Sequence, residues 1–391
     1  MKVFHNRHGY CLVTAILPRH STHRVLEEVL ESGAAYAFTI NARGSLIKNR
    51  WYQSFFPTLS PEQEILNFML PLSDADHLME QIVMAGNLRN YGAGSIFAVQ
   101  FNELICAEDY PLWEAGKYTY ESTSYDIRFK KNLVAIHHIA QKEDTDAITR
   151  AAIHAGAQGL TISFMRGIGI RDRLGLLRVT KNHEKELITV VVDEYDVDAI
   201  FQAMAQAGHV DQAGRGFVYQ MPICKGLTNL SSVFHPEKHS ASIQQIVRAI
   251  DEIQGNTHWR ANQLLIHDPK ASEFKDDNRH TIKKAVALGA VCHRKDTEML
   301  LDKALEFGVP GASVGNWRLA EAKAKCTEGG LRMNREFSCI MMILDAEVID
   351  PLRDVLQEVI SDSGMKETCF FTIPAPIAKT FVSPSSERAK K

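Results

Sequence analysis

Residues 132–164, NLVAIHHIAQKEDTDAITRAAIHAGAQGLTISF, and residues 284–316, KAVALGAVCHRKDTEMLLDKALEFGVPGASVGN, are two readings of one pattern, and that decides how the chain is built. At a fixed offset of 152, Val134 falls on Val286, Asp144 on Asp296, Thr145 on Thr297, Gly156 on Gly308 and Gly159 on Gly311. The register runs on through Asp193 on Asp345 and Pro222 on Pro374, about ninety residues without a gap. The N-terminal part joins at an offset of 123, with Thr22 on Thr145, Gly33 on Gly156 and Arg43-Gly44 on Arg166-Gly167. After one dropped residue the offset is 122, and Gly86, Gly92 and Gly94 fall on Gly208, Gly214 and Gly216. Repetition at fixed spacing marks a chain assembled from one supersecondary unit.

In the middle unit LVAIHHI reads as a strand, and DTDAITRAAIHAG as a helix with Ile148, Ala151, Ala152 and Ala155 at helical spacing and a glycine stop. GLTISF is a strand, followed by a basic excursion from Arg166 to Lys185; ELITVVV is a strand, DEYDVDAIFQAMAQAG a helix, and GFVYQMP a strand. The order βαββαβ predicts an α+β, ferredoxin-like unit with two helices over one face of a four-stranded antiparallel sheet. The strands are apolar on both sides, so the open face needs a second cover. Three such units in one chain satisfy one another as an intramolecular pseudo-trimer. The boundaries expected are 10–104, 132–228 and 282–382 for the units, with connectors at 105–131 and 229–281 and a disordered tail at 383–391. The first connector reads as ordered against the surface. The second carries SIQQIVRAIDEIQ, an amphipathic helix with Ile243, Ile246, Val247, Ile250 and Ile253 on one face.

Bulk properties exclude several function classes. The chain has 391 residues, 45% of them hydrophobic and 23% charged, with a net charge of −3, so nothing global favours nucleic acid or an anionic membrane. No apolar run is long enough to span a bilayer, and the N-terminus does not read as a signal peptide. Seven cysteines without a CxxC pair fit reduced thiols in a cytoplasmic protein.

The stretch 208–222, GHVDQAGRGFVYQMP, poses the functional question. Glycines at Gly208, Gly214 and Gly216 let backbone N–H groups approach a polyphosphate, or simply let a helix turn into a strand. The third copy has Lys366-Glu367-Thr368 in place of Gly214-Arg215-Gly216. Arg43, Arg166 and Arg318 share one alignment column after the second strand, where a guanidinium can pair with a phosphate or form an inter-unit salt bridge. His137-His138 lies in a strand pattern with its side chains on opposite faces, which suits packing better than a shared metal. His267-Asp268 stands without a supporting histidine motif, and no GxSxG, HExxH or P-loop motif is present.

GAQGLTISFMRGIGIRD, KELITVVV and GHVDQAGRGFVYQMPICKGL resemble the PII nitrogen-regulatory family, and its divergent branch most closely. The resemblance is strongest over 132–228, extends over 10–104 and continues in register over 282–382. It implies a non-catalytic signal transducer with no required cofactor or metal. An adenine nucleotide (ATP, ADP or AMP) would bind in the clefts between units, and a partner enzyme, transporter or regulator would dock on loops after each second strand. By this resemblance the T-loops are 43–63, 166–185 and 318–336, and the phosphate-facing B-loops are 86–95 and 208–216. The ligand-binding residues implied are Gly208, Gly214, Arg215, Gly216, Arg166, Gly167, Gly86, Gly92, Gly94, Arg43, Gly44 and Arg318. Trp51, Tyr52, Phe55, Phe56, Arg171 and Arg173 are the partner-docking candidates, the aromatics having packing against a neighbouring repeat as their alternative. Gly216 is followed by Phe217 where the best-known members carry a lysine, and the glutamine that organises 2-oxoglutarate has no clear match. The alternatives are a scaffold without nucleotide binding, and a sensor of bicarbonate or a metal ion. A monomeric pseudo-trimer is expected, with further pairing of pseudo-trimers left open.

Overall fold

The computed structural model describes residues 4–44, 62–90, 93–116, 118, 127–169, 184–229, 250, 253, 280–322 and 331–381. Three segments share one element order. The first runs β2 (Tyr10–Pro18), α1 (Arg19–Glu31), β3 (Ala37–Gly44), β4 (Glu62–Pro71), α2 (Ala75–Ala85) and β5 (Gly94–Gln100). It is preceded by β1 (Phe4–Arg7) and followed by β6 (Glu103–Ala107). The second runs β7 (Leu133–Gln141), α3 (Thr145–His154), β8 (Thr161–Gly169), β9 (Glu184–Asp193), α4 (Val197–Ala207) and β10 (Gly216–Ile223), with β11 (Lys225–Asn229) after it. The third runs β12 (Thr281–His293), α5 (Thr297–Phe307), β13 (Gly311–Ala322), β14 (Leu331–Asp345), α6 (Ala346–Ser363) and β15 (Cys369–Thr380).

Local chemistry explains the elements. In α3, Thr145, Ile148, Thr149 and Ala152 are buried at spacings of three and four, which puts one face on the sheet. Helices α5 and α6 stop where Gly308 and Gly364 take left-handed backbones, a conformation that costs glycine nothing. Within each segment the strands pair antiparallel in one spatial order: β3-β4-β2-β5, β8-β9-β7-β10 and β13-β14-β12-β15.

Between segments the pairing is cyclic. The second strands meet one another: β3 with β8, β8 with β13, and β13 with β3. At the other side each segment lends a terminal strand to another. Strand β11 adds to β5, β6 adds to β15, and the end of β15 adds to β10. Sheet edges that would otherwise be open are thereby paired.

The core follows the same cycle. One cluster draws on all three segments and contains the equivalent sets Leu12, Ala135 and Ala287; Phe97, Tyr219 and Phe371; and Val99, Met221 and Ile373. Three further clusters lie between each sheet and its own helices. The open sheet faces thus cover one another, each large side chain contributing about 2 kcal/mol by leaving water. An ion pair also recurs at the same place in each segment: Arg19–Glu62 at 2.9 Å, Lys142–Glu184 at 3.2 Å and Arg294–Glu336 at 3.0 Å.

Several details differ from the sequence-based expectation. Within the first connector, Trp113 and Tyr118 are buried in the core of the first segment rather than lying against its surface. Strand β6 straddles the expected boundary at 104, and β1, β6 and β11 had no counterpart in the pattern. Of the amphipathic stretch 242–254 only Ile250 and Ile253 are described, and Ile253 is 82% exposed. The tail 383–391 lies outside the described residues.

Candidate functional site

Helix α4 ends at Gly208, and the chain crosses to β10 through residues 209–215. A β-carbon on Gly208 would lie 2.3 Å from the His138 ring, so this glycine makes room for a buried imidazole. Gly216 has φ +141° and Gly94 φ +125°. A β-carbon there would sit 1.9 Å from the Ile139 carbonyl oxygen and 2.0 Å from that of Ile16, respectively. In both segments the glycine opening the fourth strand is therefore demanded by the close approach of the first strand's backbone. Gly86 follows α2, and a β-carbon there would lie 2.9 Å from the Ile82 oxygen of that helix and 3.2 Å from the Leu17 side chain of the first strand. Gly214 takes φ +84°, and Gly92 lies outside the described residues.

The Gly214 oxygen accepts hydrogen bonds from Gln141 Nε2 at 2.9 Å and Lys185 Nζ at 3.1 Å. Lys185 lies along Gly167, where a β-carbon would strike its stem at 2.7 Å. Arg215 donates from Nη1 to both Asp144 oxygens, at 3.3 and 3.2 Å. The third wall is the strand end lent by the third segment, whose Thr380 hydroxyl donates to the Gly216 oxygen at 3.4 Å. Each turn meets such a strand: Asn229 pairs with Gly94, Thr380 with Phe217, and the Ala107 amide donates to the Thr368 oxygen. Lys185 was not singled out as a site residue from the sequence, although its place at the end of the basic excursion was the signal for it.

The arginines at the loop roots reach across to another segment. Arg43 donates to both oxygens of Glu186, at 3.2 and 3.0 Å, and that carboxylate is only 1% exposed. Arg318 acts on the equivalent Glu64. Burial raises the Glu64 carboxyl above its ordinary range, against the opposing influence of the neighbouring Thr39 and Thr22 hydroxyls and the charges of Arg19 and Arg318. The third position of that column is Ser338, and Arg166 pairs instead with Glu298 at the start of α5. Gly44 closes β3, where it pairs with Thr161 of the second segment. The guanidiniums of Arg43, Arg166 and Arg215 are thus engaged by carboxylates in this state.

A comparison with protein families recognises the second segment: residues 133–227 match the model of "Nitrogen regulatory protein P-II". Residues 133–227 are thus PII-like. Among solved structures it is similar to Arabidopsis thaliana PII bound to citrate, at 15% identity over 30% of this chain and 94% of that one, with a TM-score of 0.20. It is also similar to aspartate kinase from Synechocystis, at 9% identity over 94% of this chain and 44% of that one, TM-score 0.20. A microcompartments protein from Desulfitobacterium hafniense DCB matches at 12% identity over 66% of this chain and 98% of that one, TM-score 0.16. Overall likenesses this low support no functional inference. No curated protein matches the chain.

The remaining candidates divide cleanly. Trp51, Tyr52, Phe55, Phe56, Arg171, Arg173 and the pair His267-Asp268 lie outside the described residues. His137 and His138 are buried, and burial lowers their pKa values to about 4 and about 3. His137 Nδ1 lies 2.9 Å from the Tyr219 hydroxyl, while neither ring nitrogen of His138 has a partner. The six described cysteines are all free; burial pushes the thiols of Cys11 and Cys292 up to about 12, far from a reactive thiolate. Among the described residues no group of three His, Cys, Asp or Glu side chains is placed to hold a metal ion. No described helix is long and apolar enough to cross a membrane.

Proposed function

We propose that this PII-like chain is a regulatory protein made of three tandem ferredoxin-like copies of one unit, closed into an intramolecular pseudo-trimer. It binds a small anionic effector, an adenine nucleotide first among candidates, in the clefts beside Gly214–Gly216 and Gly92–Gly94. The observation that carries this reading is the composition of the clefts. Each glycine turn belongs to one copy, its wall belongs to another, and in the second copy the cations Lys185 and Arg215 flank it. A polyphosphate entering there draws Lys185 off the Gly214 carbonyl and Arg215 off Asp144. Lys185 stands at the end of the excursion 166–185, so ligand binding shifts the population of that loop and hence the surface offered to a partner protein. The excursions 43–63 and 318–336 act likewise where their clefts are competent. The protein so read is cytoplasmic and non-catalytic, needs no metal, contacts no nucleic acid and works as one chain.

Isothermal titration with ATP, ADP, AMP and cyclic nucleotides tests this directly, and silence from all of them at millimolar ligand sinks the nucleotide claim. The internal pairs Arg43–Glu186 and Arg215–Asp144 favour a second reading, a scaffold that has closed its clefts. In that case alanine at Arg215 and Arg166 changes neither nucleotide-dependent melting nor partner capture. A sensor of bicarbonate or of a metal ion would instead raise the melting temperature with that ligand alone.

A further inference from the structure

At the third turn the cleft is filled from within. Glu367 stands where the second copy has Arg215, and its backbone is left-handed (φ +51°). Its carboxylate accepts a hydrogen bond from Arg335 Nη2 and lies 2.8 Å from His293 Nε2. Arg335 also donates to Glu321 at 3.2 Å. Both cation-forming groups rest on Phe337: the His293 ring is stacked at 4.4 Å between centroids, and the Arg335 guanidinium lies 5.5 Å from the ring centre. The Glu367 amide donates to Asp109 at 3.1 Å, from the segment that follows β6 of the first copy. His293 occupies the place of Gln141, whose amide meets the turn of the second copy in the corresponding corner.

Two donors that suit an oxyanion thus converge, above one aromatic floor, on a side chain that belongs to the turn itself. A non-glycine residue in the left-handed region costs about 1 kcal/mol, and charge-assisted hydrogen bonds offset that strain. We propose that the third cleft is an anion site occupied from within: Glu367 is its resident anion, and an external oxyanion of the phosphate or pyrophosphate class takes its place only when that carboxylate is removed. The inference extends the reading of the turns as anion cradles, but it concerns a different cleft and a different set of donors.

The test uses the full chain, inorganic pyrophosphate and the imidazole signals of His293 in proton–nitrogen correlation spectra, assigned with His293→Gln. Asparagine tolerates the left-handed backbone, so Glu367→Asn removes the carboxylate without adding strain; Glu367→Gln keeps the shape should the first variant fold poorly. In the unmodified chain pyrophosphate is expected to leave the His293 signals in place. In either variant it moves them in a saturable manner, in the millimolar range because Glu321 and Asp109 stay nearby, and adding Arg335→Gln weakens that binding about tenfold or more. No movement in the folded variants up to about 20 mM pyrophosphate overturns the proposal, as does movement in the unmodified chain. Nucleotide silence in the unmodified chain together with pyrophosphate binding in the variant would remove the nucleotide reading and leave this one standing.

Discussion

Acidification should weaken this fold through two adjacent histidines, and the size of the effect can be worked out. His137 and His138 are both buried, with folded-state pKa values of about 4 and about 3 set by desolvation. Their unfolded values lie near 6.5. The folded pKa values are depressed, so the unfolded chain takes up protons first: stability is full above about pH 6.5 and falls as pH drops towards the folded pKa values. At pH 5 each histidine contributes a loss of RT ln(1 + 10^1.5), about 2 kcal/mol, relative to pH 7.5. The result is insensitive to the folded value so long as that stays well below 5. His138→Leu removes one titrating group whose ring nitrogens have no partner. Packing against Gly208 changes as well, so the quantity to compare is the difference in unfolding free energy between the two pH values, in which packing cancels. Urea titrations followed by circular dichroism at pH 7.5 and 5.0 should show that difference about 2 kcal/mol smaller in the variant. An unchanged difference would mean that His138 titrates normally in the folded state, and the burial argument would be wrong.

Other perturbations follow from the same contacts. Arg43→Met strands the buried Glu186 carboxylate and should destabilise by about 2 kcal/mol, below the usual range for a broken buried pair because Arg43 is 37% exposed; adding Glu186→Gln should restore much of it in denaturant melts. Gly216→Ala places a β-carbon 1.9 Å from the Ile139 oxygen at φ +141°, with an expected loss of about 3 kcal/mol or more in thermal unfolding, ligand or no ligand. Gly289→Ala should cost about 1–3 kcal/mol by driving a methyl into the Phe371 ring of the shared core, and a variant as stable as the parent would mean that the core repacks freely.

The unit was legible in the sequence because it is local. Helical spacing, strand-length apolar runs and glycine stops are set within ten or so residues, and they recur at one offset. What joins the three segments was not. Strands β1, β6 and β11 have four or five residues each and are stabilised by partners far along the chain, so no periodicity marks them. Arg43 stood out as a candidate, but its partner Glu186 is 143 positions away. The glycines were recognised as a set, while their causes were hidden. Gly216 answers to the backbone of Ile139 and Gly208 to the ring of His138, contacts that only the packed sheet and helix create. Lys185 went unnoticed because a lysine at a strand end is usually solvated charge. Its place over Gly167 and beside Gly214 becomes visible only when β8 and β9 are paired.

The central claim concerns what the second cleft holds, and binding stoichiometry measures that most directly. Titration of ATP and ADP into the intact chain should give no more than two sites. Lys185→Ala with Arg215→Ala should weaken the second-cleft site about a hundredfold or more, each lost charge-assisted contact being worth about 1.5–3 kcal/mol. Three equivalent sites, or binding indifferent to both substitutions, would contradict the account.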